Sequence, residues 1–202
     1  MMKVTKVKKE GNKVTFNVSG IDTGMINAFR RVIISKIPTM AIEEIVFFTN
    51  TSILNDENLG HRFGMIPLTT DIETYELSEE CSCKGEGCGR CTCTLGLDIQ
   101  GPSTIYSGDL ISSDDRVKPV FPTMPLVKLQ PKHHVKLEAK AKLGFGADHI
   151  KWQPGLCSFE LLDNGSYDVF VESYGPLQVD SLVKKAFEVV DESILTLEKA
   201  LK

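Results

Sequence analysis

Five of the six cysteines in this chain lie between positions 81 and 93. The run CSCKGEGCGRCTC spaces them C-x-C-x4-C-x2-C-x-C, with Gly85, Gly87 and Gly89 interspersed. Thiolates so arranged can close a tetrahedral shell of four sulfurs, the donor set of a structural zinc site. The glycines supply the backbone freedom that tight turns between ligands require. Cys81, Cys83, Cys88 and Cys91 form the best set, with Cys93 as a substitute ligand. The competing readings are a patch of reduced thiols and an iron–sulfur site. The spacing departs from the C-x2-C-x2-C-x3-C run of bacterial ferredoxins. The expectation is one structural zinc ion, because a closed four-thiolate shell leaves no open position for activating water.

No catalytic residues are expected beside it. The sequence has no Gly-rich phosphate loop, H-E-x-x-H or G-x-S-x-G, the motifs that would announce phosphate, zinc-protease or nucleophile chemistry. It also lacks a polymerase-type aspartate cluster, and Asp114-Asp115 alone reads as a turn pair. His61 has no histidine or acidic partner at catalytic spacing and reads as a packed, satisfied side chain. Lys151 and Trp152 lack surrounding basic residues, so the tryptophan reads as packing rather than base stacking.

The elements that must carry the cysteine loop are readable from periodicity. Residues 4–7 and 14–18 alternate apolar and polar side chains around Gly11-Asn12, which predicts a β-hairpin. Asp22 is a good N-cap for a helix over residues 23–36. Its apolar positions Met25, Ile26, Phe29, Val32, Ile33 and Ile37 share one face. Pro38 stops it, and residues 40–48 read as a strand. Leu59, Phe63 and Ile66 mark a short helix that ends before Pro67. Residues 71–80 are acidic and read as exposed. Strands are predicted at 94–99, 103–106, 126–129 and 134–143, with a loop over 107–122. A last hairpin, 157–162 and 167–172, flanks Asn164-Gly165, a type I′ signal. A long helix over 179–201 follows, its near-heptad stripe open to two readings, packing on its own sheet and burial of surplus apolar surface against a partner's helix.

The 202 residues are 42% hydrophobic and 25% charged, with a net charge of −4. These proportions are those of a globular protein, and the acidic balance gives no general attraction for nucleic acid or anionic membrane. No apolar run approaches the roughly 20 residues that span a bilayer. The N-terminus lacks the apolar core of a signal peptide. A cytoplasmic protein with reduced thiols is expected.

Three segments carry a family resemblance. NAFRRVIISKIPTMAIEEI (residues 27–45) resembles the signature of the RNA polymerase α family, and LNDENLGHRFGMIPL (54–68) matches its next block. LGFGADHIKWQP (143–154) resembles the archaeal and eukaryotic branch, and the likeness points to the archaeal D-subunit group in a short form. The related subunit shared by eukaryotic RNA polymerases I and III is the nearest rival. A free zinc-dependent nucleic-acid-binding module is the rival of a different class.

The resemblance implies an α+β fold: a discontinuous dimerisation domain of antiparallel sheet plus two long helices, with a mainly-β domain inserted. Here that corresponds to residues 1–48 with 156–202, around an insert over 49–155. It implies a non-catalytic platform subunit of DNA-directed RNA polymerase. Such a subunit pairs with subunit L, docks the second-largest subunit and is joined by small subunits N and P. DNA is met only through the complex. The partner-facing residues implied are Phe29, Arg30, Arg31 and Ile33 on the first helix, and Val183, Phe187, Val190 and Ile194 on the last. The eukaryotic relatives' CxC…CxxC pattern supports the zinc. The ferredoxin-like insertion of some relatives is missing after Pro154, so no iron–sulfur cluster is expected.

Overall fold

The computed structural model describes residues 2–201. Residues 1 and 202, the outer bounds of the expected dimerisation domain, lie outside the described residues. The chain opens with β1 (Lys3–Glu10), β2 (Lys13–Ser19), α1 (Thr23–Ser35), β3 (Thr39–Asn50) and α2 (Asp56–Gly64). It continues through β4 (Thr92–Gln100), β5 (Ser103–Tyr106), β6 (Ile111–Ser112), β7 (Pro125–Leu129) and β8 (His134–Gly144). It closes with β9 (Gly155–Leu161), β10 (Tyr167–Ser173) and α3 (Val179–Ala200). The class is α+β, with every sheet antiparallel. Among the described residues, no helix is long and apolar enough to cross a membrane.

Thr39–Gly144 is one compact unit, and the segments on either side of it form the other. These crossings lie about ten residues before the expected ones at 48/49 and 155/156. The reason is hydrogen bonding. β3, expected in the N-terminal segment, pairs with β8 from Thr39↔Gly144 to Asn50↔Val135 and so belongs wholly to the inserted unit. Residues 145–154 join the outer unit, where the Ala147 N–H donates to the Ser35 carbonyl. This turn leaves no room at Gly146, where a Cβ would overlap the Ile34 carbonyl oxygen. Gly146→Ala should therefore cost about 1–3 kcal/mol, read as a fall in the thermal midpoint.

In the outer unit the sheet runs β1-β2-β10-β9. Val14, Phe16 and Val18 of β2 and Tyr167, Val169 and Val171 of β10 are buried with Ile26, Phe29 and Ile33 of α1. The Asp22 carboxylate accepts from the Met25 N–H at 2.9 Å and caps α1 as expected. Met25, assigned to the apolar stripe, lies at its exposed margin. Phe29 stacks on Phe187 of α3 at 4.6 Å between ring centroids. The last hairpin turns otherwise than its Asn-Gly pair predicts. The Gly165 N–H donates to the Leu162 carbonyl, and the Leu162 N–H to that of Ser166. Of the turn residues only Gly165 has positive φ, +75°. The loop thus has three residues with one left-handed glycine, whereas type I′ needs two such positions.

The inserted unit has a sheet ordered β3-β8-β4-β6 and a β5-β7 ribbon. β8 alternates cleanly, with Val135, Leu137, Ala139 and Ala141 inward and Lys136, Glu138 and Lys140 outward. α2 turns Leu59 and Phe63 into this core. His61, two residues from each, is rotated away and exposed, because side chains two apart on a helix do not share a face. The expectation of a packed histidine is corrected accordingly.

Candidate metal centre

The cysteine loop leaves the core of the inserted unit after Tyr75 and returns to it at β4. Its base is drawn together by the Glu76 N–H, which donates to the Arg90 carbonyl at 2.9 Å. The Leu77 carbonyl accepts from Glu80 and Cys81, turning the chain into the loop. Gly85 and Gly87 both take φ of +87°, a conformation in which a side chain is strained.

These turns bring the Sγ atoms of Cys81, Cys83, Cys88 and Cys91 within 4.8 Å of one another. Cys81 and Cys88 approach to 3.5 Å, Cys83 and Cys91 to 3.4 Å, and Cys88 and Cys91 to 3.9 Å. A tetrahedral ion with metal–sulfur bonds of ~2.3 Å has sulfur–sulfur edges of about 3.8 Å. The donor set therefore fits a four-coordinate metal ion. Backbone N–H groups reach every sulfur: Cys83 to Cys81, Gly87 and Gly85 to Cys83, Arg90 to Cys88, and Cys88 to Cys91. Such donors favour the thiolate, the form a metal takes.

The four thiols do not share protons equally. The Cys83 amide pulls Cys81 down, but burial and the neighbouring thiols outweigh it and push Cys81 up to about 12. The Cys91 thiol, with the amides of Gly87 and Gly85, brings Cys83 down to about 6 against its burial. The Arg90 amide and the Cys81 thiol lower Cys88, while burial raises Cys91. Crowded sulfurs split in this way when no cation neutralises them; a bound divalent ion lowers all four.

Cys93 is not in the cluster. It points into the core of the inserted unit, its Sγ 3.3 Å from Ser112 Oγ and 3.5 Å from Ser113 Oγ. One strand step beyond the loop turns it away from the four sulfurs. Sequence reasoning missed a second feature beside the loop. Tyr75, in the acidic run expected to be exposed, is buried and donates to Asp114 Oδ2 at 2.8 Å. Arg116 grips the same carboxylate through Nε at 3.1 Å and Nη2 at 2.8 Å. The Arg116 guanidinium first, then its amide and the Tyr75 hydroxyl, hold Asp114 well below the usual carboxylate range. A depressed carboxyl contributes stability above its unfolded value and loses it as pH falls through its folded one. Asp114→Asn should flatten the fall in urea midpoint between about pH 4 and 2, the window set by an ordinary Asp near 3.9 and its lower folded value.

The partner-facing set separates by burial. Phe29 and Ile33 are buried in the outer unit's own core and have no surface to offer, which removes them from the set. Arg30 is half-buried, its Nε donating to Asn27 Oδ1 at 3.1 Å, while Arg31 is exposed. On α3, Val183 and Val190 are half-buried, and Phe187 and Ile194 exposed. Leu195, Leu197 and Leu201 are exposed as well.

An α+β chain whose inserted antiparallel unit carries a loop of four converging cysteines is the class this geometry defines. Residues 45–156 match the family model of the RNA polymerase Rpb3/RpoA insert domain, and the chain belongs to that family. It is 42% identical over 161 residues to DNA-directed RNA polymerase subunit Rpo3 of Methanosarcina acetivorans, covering 79% of this chain and 60% of that one. It is 41% identical over 160 residues to the Pyrococcus horikoshii protein of the same name, at 79% and 60% coverage. The Pyrobaculum aerophilum protein is 40% identical over 161 residues, at 79% and 62%. The matches thus span about 60% of the length of these curated relatives.

Proposed function

We propose that the chain is a non-catalytic platform subunit of an archaeal DNA-directed RNA polymerase in the cytoplasm. It nucleates assembly of the nucleotidyltransferase and meets DNA only through the complex. The observation that carries this reading is the end of α3, where residues 191–200 are exposed on every side. A helix end that buries nothing in its own unit, yet presents Ile194, Leu195 and Leu197, is suited to lie against another helix. The occupant proposed is the smaller α-like subunit L.

The exposed Arg31, with Arg30 beside it, and the segment 54–68 then dock the second-largest subunit, and subunits N and P join the platform. Arg31 carries a planar fork suited to interface carboxylates. The metal is one structural zinc ion held by Cys81, Cys83, Cys88 and Cys91. With all four positions filled by thiolate it supplies folding energy rather than a reaction; no iron–sulfur cluster belongs to this reading. Reversing both charges, Arg30→Glu with Arg31→Glu, should lower incorporation into reconstituted polymerase at least tenfold while the pair with L survives. Normal incorporation of the double variant would sink the assignment of the arginines.

A further inference from the structure

The metal loop is held at both ends by one short segment far from it in sequence, residues 112–116. On the entry side, Arg116 Nη1 donates to Asp71 Oδ2 at 3.2 Å and to Thr74 Oγ1 at 2.7 Å. The Tyr75 hydroxyl donates to Asp114, which Arg116 also grips in a fork. On the exit side, Ser113 Oγ accepts from the Thr94 N–H at 3.1 Å, and the Ser113 N–H donates to the Thr94 carbonyl at 2.8 Å. The Cys93 thiol lies against Ser112 and Ser113. Everything between these anchors, residues 76–92, is the loop that bears the ligands.

We propose that residues 112–116 form a clasp that preorganises the metal centre, with Arg116 and Tyr75 as positioning residues for its four thiolates. The inference rests on the metal-binding reading above. Without the clasp the exit end still pairs with β8 from Thr92, but the entry end is tied to it only at the loop base, through the Glu76–Arg90 hydrogen bond. Binding a metal must then order more of a glycine-rich segment. With both ends fixed, the part of that cost due to holding the ends together is met in folding the inserted unit, and metal binding bears only the ordering of the loop between them. A bidentate guanidinium–carboxylate contact is the strongest polar link the segment could use, and lysine cannot reproduce its fork. Groups one shell beyond metal ligands commonly change affinity by about 10–100-fold. Arg116 stands one layer further out, so about tenfold is expected.

The test uses the full chain, loaded with zinc or with cobalt(II) as a spectroscopic substitute. Zinc affinity by chelator competition, zinc release rate and the cobalt–thiolate absorption are compared for the wild type, Arg116→Met, Arg116→Lys and Tyr75→Phe. Tyr75→Phe removes one hydroxyl from a core position and keeps the ring. The clasp predicts about tenfold weaker zinc binding and faster release in Arg116→Met, little rescue by Arg116→Lys, and a smaller loss in Tyr75→Phe. The four-thiolate cobalt spectrum should persist at saturation. Equal loss of stability in the metal-free and loaded chains, with zinc affinity unchanged, would overturn the clasp while leaving the metal site intact. A wild-type chain that takes up neither ion would overturn the metal reading itself, and the clasp with it.

Discussion

Replacing Cys88 and Cys91 together with serine should empty the proposed zinc site and melt the loop that carries it. Two of the four sulfurs are lost, the pair that lies 3.9 Å apart across the C-x2-C turn. Serine hydroxyls do not ionise near neutral pH and are poor ligands for a thiophilic ion. Apparent binding energies of structural zinc reach ~10–16 kcal/mol in small zinc-binding peptides. Loss of half the donors should therefore take zinc content from one ion per chain to less than a tenth, by elemental analysis. The damage should stay local. The core of the inserted unit is built from residues such as Leu59, Phe63, Leu95 and Leu137, outside the loop. Protease cleavage within residues 76–92 should rise at least tenfold, while the helix and strand signal stays close to wild type. Acidification should empty the wild-type site too, since protons compete for the sulfurs.

The second large effect concerns α3. Ile194→Asp with Leu197→Asp should weaken the proposed pair with subunit L at least 100-fold, about 2.7 kcal/mol or more. Both side chains are exposed in the chain alone, so charges there leave its own melting temperature nearly unchanged. In a helix–helix interface the same carboxylates would be buried without partners, at a cost typical of hot-spot positions. Sedimentation of the variant with L should give separate species where the wild type gives one. Undiminished pairing would move the interface away from the end of α3.

Much of this architecture is legible in the sequence because the signals are local. Asp22, the stripe through Ile26, Phe29 and Ile33, and Pro38 define α1 almost to the residue. The glycines and cysteine spacing between 81 and 91 mark the loop in which four sulfurs converge. What sequence does not carry is the identity of distant partners. The apolar run of β3 announces a strand, but only pairing with β8 decides which sheet receives it. A stripe likewise cannot distinguish its own core from a partner's, which is why Phe29 and Ile33 read as interface residues and prove internal. Tyr75 lay hidden in an acidic run because its partner, Asp114, is 39 positions away. Read alone, that aspartate belonged to an ordinary turn. The short loop Asn164-Gly165 misled for a different reason, since the three-residue hairpin uses the same glycine with one left-handed position instead of two.

The most direct measurement is native mass spectrometry of the full chain expressed alone and together with an archaeal L subunit. The account predicts a one-to-one complex that retains a single zinc ion, and loss of that complex in the Ile194→Asp, Leu197→Asp variant. A metal-free chain that remains monomeric beside folded L would contradict both the partner helix and the four-thiolate centre.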